Sequence, residues 1–165
     1  MTPESPPDSF STRRDPRPSG QRSMSHLYFA YGSNMSPATI RERVVGATPA
    51  GTALLRHHRL AFTLPSKRWT GRAADVLPAP GSGVWGVLWE LPDWGALDEF
   101  EKRYDRAEFD VLRFGQRDQA GIPTRAFTYT VKPEHRAADE APPAPAYLER
   151  MIQGAQHGDL PSDYI

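Results

Sequence analysis

The order of strand-like and helix-like segments limits the possible folds more than any other feature of the sequence. Seven segments have the apolar or alternating patterns of β-strands: 27–31, 52–55, 58–64, 73–77, 84–91, 109–116 and 124–131. Helical patterns occur in three segments, 38–45, 92–104 and 146–156. Several strands follow one another through short loops, so the strict strand–helix alternation of a doubly wound sheet is missing. The sequence therefore predicts an α+β fold built on a mixed sheet or barrel.

The first 25 residues differ in composition from the rest of the chain. They are rich in proline and serine and contain almost no apolar side chains. Such a segment buries too little surface to offset the entropy lost on ordering. We predict a disordered N-terminal extension at 1–25, with a docking tail as the alternative, and one domain at 26–165.

Charge and cysteine content exclude several classes of function. The 20 basic and 20 acidic residues give a formal net charge of zero, which does not favour a nucleic-acid or anionic-membrane partner. The absence of cysteine excludes disulfides, a cysteine nucleophile and thiolate metal sites. The five histidines lack the spacing of metal ligands, and no apolar run approaches the ~18 residues of a membrane span. We expect a soluble, cytoplasmic protein without a metal.

A glycine and small polar residues follow the first predicted strand. Gly32, Ser33 and Asn34 come directly before Ser36 and Pro37, which have the pattern of a helix N-cap and first helical residue. Successive backbone N–H groups at such a position form a cradle for an anion. The alternative is an ordinary strand-to-helix turn capped by Asn34 or Ser36.

An acidic residue interrupts the apolar stripe of the second predicted helix. The stripe has helical spacing, with Phe100 beside it, and consists of Trp94, Leu97, Glu101 and Tyr104. A carboxylate among aromatic side chains is poorly solvated, so its pKa should rise, as a general base working near neutral pH requires. Alternatively, Glu101 is a boundary charge paired with Arg103 or Arg106, and Asp98 is a competing candidate for the base.

Taken in order, five segments resemble the γ-glutamylcyclotransferase family. They are YFAYGSNM at 28–35, WTGRAADV at 69–76, VWGVLWEL at 84–91, LDEFE at 97–101, and APPAPAY…GAQHGDLPSDY at 141–164. The resemblance covers residues 27–164 and implies a small mixed β-barrel with flanking helices.

The resemblance also implies roles for particular residues. Glu101 corresponds to the catalytic acid/base of the family. The residues that correspond to the loop that binds the γ-glutamyl group are Tyr28, Ala30, Tyr31, Gly32, Ser33 and Asn34. The implied reaction closes the α-amino group of a γ-glutamyl compound onto its own γ-carbonyl, forming 5-oxoproline and releasing an amine. This chemistry needs no metal, cofactor or protein nucleophile.

The chain departs from the family pattern after the catalytic position. Lys102 stands where the family often has glycine, and Glu108 and Phe109 stand where a tyrosine is expected at the start of the next strand. Three interpretations stay open: an enzyme acting on γ-glutamyl amino acids, one acting on another γ-glutamyl conjugate, and a catalytically silent binding domain. The expected partner of the protein is a small γ-glutamyl compound. The protein is expected to be a monomer or a homodimer.

Overall fold

The fold is a closed barrel of five strands with three helices packed around it. The computed structural model describes residues 26–66, 71–115 and 120–165, so the predicted extension at 1–25 lies outside the described residues. The strands are β1 (Leu27–Ala30), β2 (Thr48–Pro65), β3 (Arg72–Glu90), β4 (Tyr104–Phe114) and β5 (Ile122–Val131). The helices are α1 (Pro37–Arg43), α2 (Gly95–Phe100) and α3 (Pro145–His157).

The barrel closes through one parallel contact. The strand order is β1-β3-β2-β4-β5, and β5 returns to β1. All neighbours are antiparallel except β1 and β5, which pair in parallel at Tyr28 and Phe127. The prediction of an α+β fold with a small mixed barrel is thus confirmed.

Strands β2 and β3 each combine two of the predicted strand segments. The segments predicted at 52–55 and 58–64 are both part of β2, and β3 contains both the segments predicted at 73–77 and 84–91 and the proline- and glycine-containing residues 78–83 between them. His57 and Gly81 adopt positive φ angles of 63° and 85°, which displaces the chain locally. Strands β2 and β3 are paired on both sides of this irregularity. Arg56 pairs with Gly83 on one side, and His58 pairs with Pro78 on the other. The chain therefore bulges at these residues instead of reversing.

Helix α2 is shorter than predicted, and strand β4 begins earlier. The helix ends at Phe100, because Glu101 leaves the helical region with φ −100° and ψ 49°. Tyr104, predicted to be helical, pairs with Val131 as the first residue of β4. The long antiparallel pairing with β5 makes this part of the chain a strand, although helical periodicity alone would continue the helix.

The core lies inside the barrel and beneath the helices. Its largest fully buried side chains include Phe29, Ile40, Leu88, Trp89 and Leu97.

No helix among the described residues is long and apolar enough to cross a membrane.

Candidate active site

A cavity of about 390 Å³ lies where the end of β1 meets the end of helix α2. The turn after β1 is a short 3₁₀ helix, Ser33–Met35, closed by hydrogen bonds from Met35 N to Gly32 O and from Ser36 N to Ser33 O. These two N–H groups are used within the turn. The donors that the turn could offer an anion are therefore the N–H groups of residues 32–34 and the polar side chains.

Most of the predicted site residues meet at this cavity. Six of the seven line it: Tyr28, Tyr31, Gly32, Ser33, Asn34 and Glu101. Ala30 is fully buried in β1, next to Tyr31, and is not among the described lining residues. Residues that are distant in the sequence thus line one cavity. An ordinary strand-to-helix turn, capped by its own side chains, would not require this arrangement.

Asn34 connects the turn to the carboxylate of Glu101. Its Nδ2 donates to Tyr28 Oη at 2.9 Å and to Glu101 Oε2 at 3.1 Å. Its Oδ1 accepts from Arg43 Nη1 at 2.5 Å. Ser36 makes no side-chain capping bond to helix α1. The side chain of Asn34 therefore serves the cavity and not the cap of the following helix.

Burial raises the pKa of Glu101, as the sequence predicts. The loss of hydration on burial is the largest cause, and it outweighs the opposing effects of the Arg43 charge and the Asn34 hydrogen bond. Arg43 also stacks over the ring of Phe100, with Cζ 3.8 Å from the ring centroid. The site thus holds a carboxylate whose affinity for a proton is increased at the wall of a cavity.

The cationic residues proposed to neutralise Glu101 have other partners. Arg103 donates to Pro65 O at 2.9 Å, and Arg106 approaches Asp98 at 3.6 Å. The cation that faces Glu101 is Arg43 from helix α1, which sequence spacing did not identify. It is brought there by the packing of α1 near α2 and by its bond to Asn34.

Asp98, the competing candidate for the base, acts elsewhere. Its Oδ1 accepts from Tyr129 Oη at 2.6 Å, and it is not among the described residues lining the cavity. Tyr129 does line the cavity and packs edge-to-face on Tyr28, with ring centroids 5.7 Å apart. Among the described residues, Tyr129 thus connects Asp98 to the cavity.

Two further tyrosines of the cavity wall were not assigned from the sequence. Tyr104 Oη donates to Ala74 O at 2.8 Å, and Ala74 N donates to Tyr147 Oη at 3.1 Å. The sequence predicts the strand after Glu101 to begin at Phe109, but β4 begins five residues earlier, at Tyr104, and Phe109 pairs with Ala126 in its middle. A tyrosine therefore stands at the start of this strand.

Gly32 provides room for one of these tyrosines. A Cβ atom on Gly32 would lie 3.1 Å from Tyr147 Oη and 3.4 Å from Ala74 Cβ. Its φ of −112° is open to other residues, so the requirement for glycine at this position is one of space. The small residue allows the N-terminal end of α3 to approach the turn after β1.

Comparison with known proteins identifies the same family along the chain. The AIG2-like family matches residues 83–165. The γ-glutamylcyclotransferase of Mus musculus is 31% identical over 152 residues, covering 88% of this chain and 78% of the relative. The human γ-glutamylcyclotransferase is 31% identical over 148 residues, covering 85% of this chain and 75% of the relative.

A solved structure supports the same relationship. A γ-glutamyl cyclotransferase superposes with a TM-score of 0.75 at 30% identity, covering 84% of this chain and 82% of the other. Identity at this level over most of both chains, together with the shared barrel, indicates common descent. The chain belongs to the γ-glutamylcyclotransferase (AIG2-like) family of enzymes.

Proposed function

We propose that this protein cyclises a γ-glutamyl amino acid or a related γ-glutamyl amide to 5-oxoproline and releases the amine, with Glu101 as acid/base. The observation that carries the proposal is the direct bond from Asn34 Nδ2 to Glu101 Oε2 at 3.1 Å inside the cavity. It joins the turn proposed to bind the γ-glutamyl group to the proposed proton carrier. The relatives named γ-glutamylcyclotransferases support the reaction class.

The substrate carries its own nucleophile. The α-amino nitrogen of a γ-glutamyl compound can close a five-membered ring on the γ-carbonyl carbon, so the protein gains rate by holding the folded conformer. In the proposed arrangement, the γ-glutamyl group lies against Tyr28, Ala30 and Tyr31 and against the turn formed by Gly32, Ser33 and Asn34. The polar groups of the turn would stabilise the substrate carboxylate and the oxyanion that develops at the γ-carbonyl.

Glu101 would move the protons that the reaction requires. The α-ammonium must lose a proton before its nitrogen can attack, and that nitrogen keeps one hydrogen in the lactam. The two protons it loses match the two that the departing nitrogen gains to leave as an ammonium. Glu101 therefore ends the cycle as it began, and its raised pKa suits a group that both accepts and returns a proton near neutral pH.

The expected setting is that of a small-molecule enzyme. We propose that the protein acts in the cytoplasm, as a monomer or homodimer, without a nucleic-acid or membrane partner. A formal net charge of zero supports the absence of a polyanionic partner. A sequence without cysteine has no disulfide to form, which fits a reducing compartment.

Replacing Glu101 with Gln tests the proposal. Gln keeps the size of the side chain but removes its ability to carry the proton, so turnover of a γ-glutamyl substrate should fall by ~10²-fold or more while affinity changes little. The wild-type rate should also fall as the pH decreases through the raised pKa of Glu101, because the protonated carboxyl is no longer a base.

Asp98→Asn is the matched control. It lies three residues before Glu101, in helix α2, and keeps an acceptor for the Tyr129 hydroxyl, so it should retain most activity. Release of 5-oxoproline by the Glu101→Gln variant at a rate near that of the wild type would remove Glu101 from the mechanism. Ligand binding without turnover by the wild type would instead favour a silent binding domain.

A further inference from the structure

The cavity has a buried end and an exposed mouth. Tyr28, Asn34 and Tyr147 are each at most 6% exposed. Phe100, by contrast, is 46% exposed, and Arg103 is partly exposed. With the γ-glutamyl group at the buried end beside Glu101, as proposed above, the leaving group extends toward the mouth.

Positive charge exceeds negative charge among the described residues that line this cavity. Its described lining includes Arg43, Lys102 and Arg103 but only one acidic residue, Glu101. Arg43 bonds to Asn34 and faces Glu101, and Lys102 pairs with Glu99 at 2.7 Å on the surface. Arg103, by contrast, belongs to none of the ion pairs found among the described residues.

Arg103 is anchored at one end of its guanidinium. Nη1 donates to Pro65 O at 2.9 Å, and the backbone O of Arg103 accepts from Lys132 N at 2.9 Å. These bonds tie the residue to the end of β2 and to the end of β5. A guanidinium has five N–H donors in a planar fork, so the bond to Pro65 leaves donors for a carboxylate.

We propose that Arg103 determines specificity by binding the carboxylate of the leaving amino acid. The inference rests on the proposed function and deepens it by naming Arg103 as the residue with which this chain distinguishes γ-glutamyl α-amino acids from γ-glutamyl conjugates of neutral amines. A γ-glutamyl amino acid has two carboxylates and one ammonium, and this net negative charge complements the cavity. The guanidinium and carboxylate form paired, charge-assisted hydrogen bonds.

The test compares two substrates that differ only in the charge of the leaving group, γ-glutamyl-L-alanine and γ-glutamyl-L-alaninamide. The wild type should have a kcat/KM about tenfold or more higher for the acid, the scale of a hydrogen bond to a charged group. Arg103→Gln should lose this preference by lowering kcat/KM for the acid while leaving that for the amide unchanged. Arg103→Lys should keep part of the preference, since it keeps the charge but not the fork.

Arg125→Gln is the matched control. Arg125 is an exposed arginine that pairs with Glu108 and Asp110, and it is not among the described lining residues. It should keep the wild-type preference. Equal kcat/KM for acid and amide in the wild type, or an equal loss on both substrates in Arg103→Gln, would overturn this inference alone. No 5-oxoproline from either substrate with the wild type would overturn the proposed function, and this inference with it.

Discussion

Glu101 and Asn34 have environments that the sequence indicates only in part. The carboxylate among aromatic side chains and the small polar turn are both visible in the sequence, because each depends on neighbours within one helix or one turn. Arg43, Tyr104 and Tyr147 complete the site from three other elements. Their approach to Glu101 depends on long-range packing, which local periodicity does not contain.

The raised pKa of Glu101 predicts how stability depends on pH. A carboxyl whose pKa is higher in the folded protein binds a proton more tightly there, so its contribution to stability is present below the unfolded pKa and is lost as the pH rises through the folded pKa. Glu101→Gln mimics the protonated form. We expect the melting temperature of the variant, relative to that of the wild type, to rise as the pH increases from the unfolded to the folded pKa of Glu101. Above the folded pKa this difference should level off.

Thermal unfolding at a series of pH values measures this difference. Asp98→Asn serves as the comparison, because it also replaces a carboxylate with an amide, three residues earlier and outside the described lining of the cavity. A melting difference for Glu101→Gln that stays constant across the range would mean that Glu101 has the same pKa in the folded and unfolded chains.

At the level of secondary-structure elements, the structure differs from the sequence prediction mainly in where strands and helices end. Proline and glycine at 78–83 indicate a turn in the sequence, yet the pairing of β2 with β3 carries the chain through it as a bulge. The helical stripe likewise continues to Tyr104, but the ladder with β5 ends α2 at Phe100. Both errors arise because cross-strand hydrogen bonds override local preference.

The turn after β1 and the start of α3 form one structural unit. Gly32→Val would place a branched side chain against the Tyr147 hydroxyl, which lies 3.1 Å from the position of a Cβ. The Tyr147 hydroxyl would then have to move away from Ala74 N, and the added side chain would take up space in the cavity that Gly32 and Tyr147 both line. We expect affinity for a γ-glutamyl ligand to fall about tenfold or more, the scale of one or two lost hydrogen bonds, while the protein still folds.

Calorimetric binding together with thermal unfolding separates the two effects. Gly81→Ala is the control: Gly81 has a φ of +85° and nothing within 4 Å of the added Cβ, so the substitution strains the backbone away from the cavity. It should lower stability and leave binding intact. Undiminished binding by Gly32→Val would show that close packing at Gly32 does not shape the ligand site.

At the scale of the whole molecule, the described fold is built from residue 26 onward. Leu27 begins β1, one of the two strands of the parallel closure, and the buried core continues to Leu160 near the C-terminus. We predict that a chain beginning at Ser25 melts within about 3 °C of the full-length protein, a shift that ~1 kcal/mol causes in a domain of this size. A larger decrease would mean that residues 1–24 stabilise the barrel.

The central claim is that the cavity promotes ring closure within the substrate. Chromatographic quantification of every product from γ-glutamyl-L-alanine tests it most directly, because hydrolysis by water and intramolecular cyclisation both release alanine but differ in the second product. We expect 5-oxoproline and alanine in equal amounts, with no glutamate above the level of an enzyme-free sample. Glutamate in place of 5-oxoproline would show that water and not the α-amino group is the nucleophile, so that the cavity does not promote ring closure.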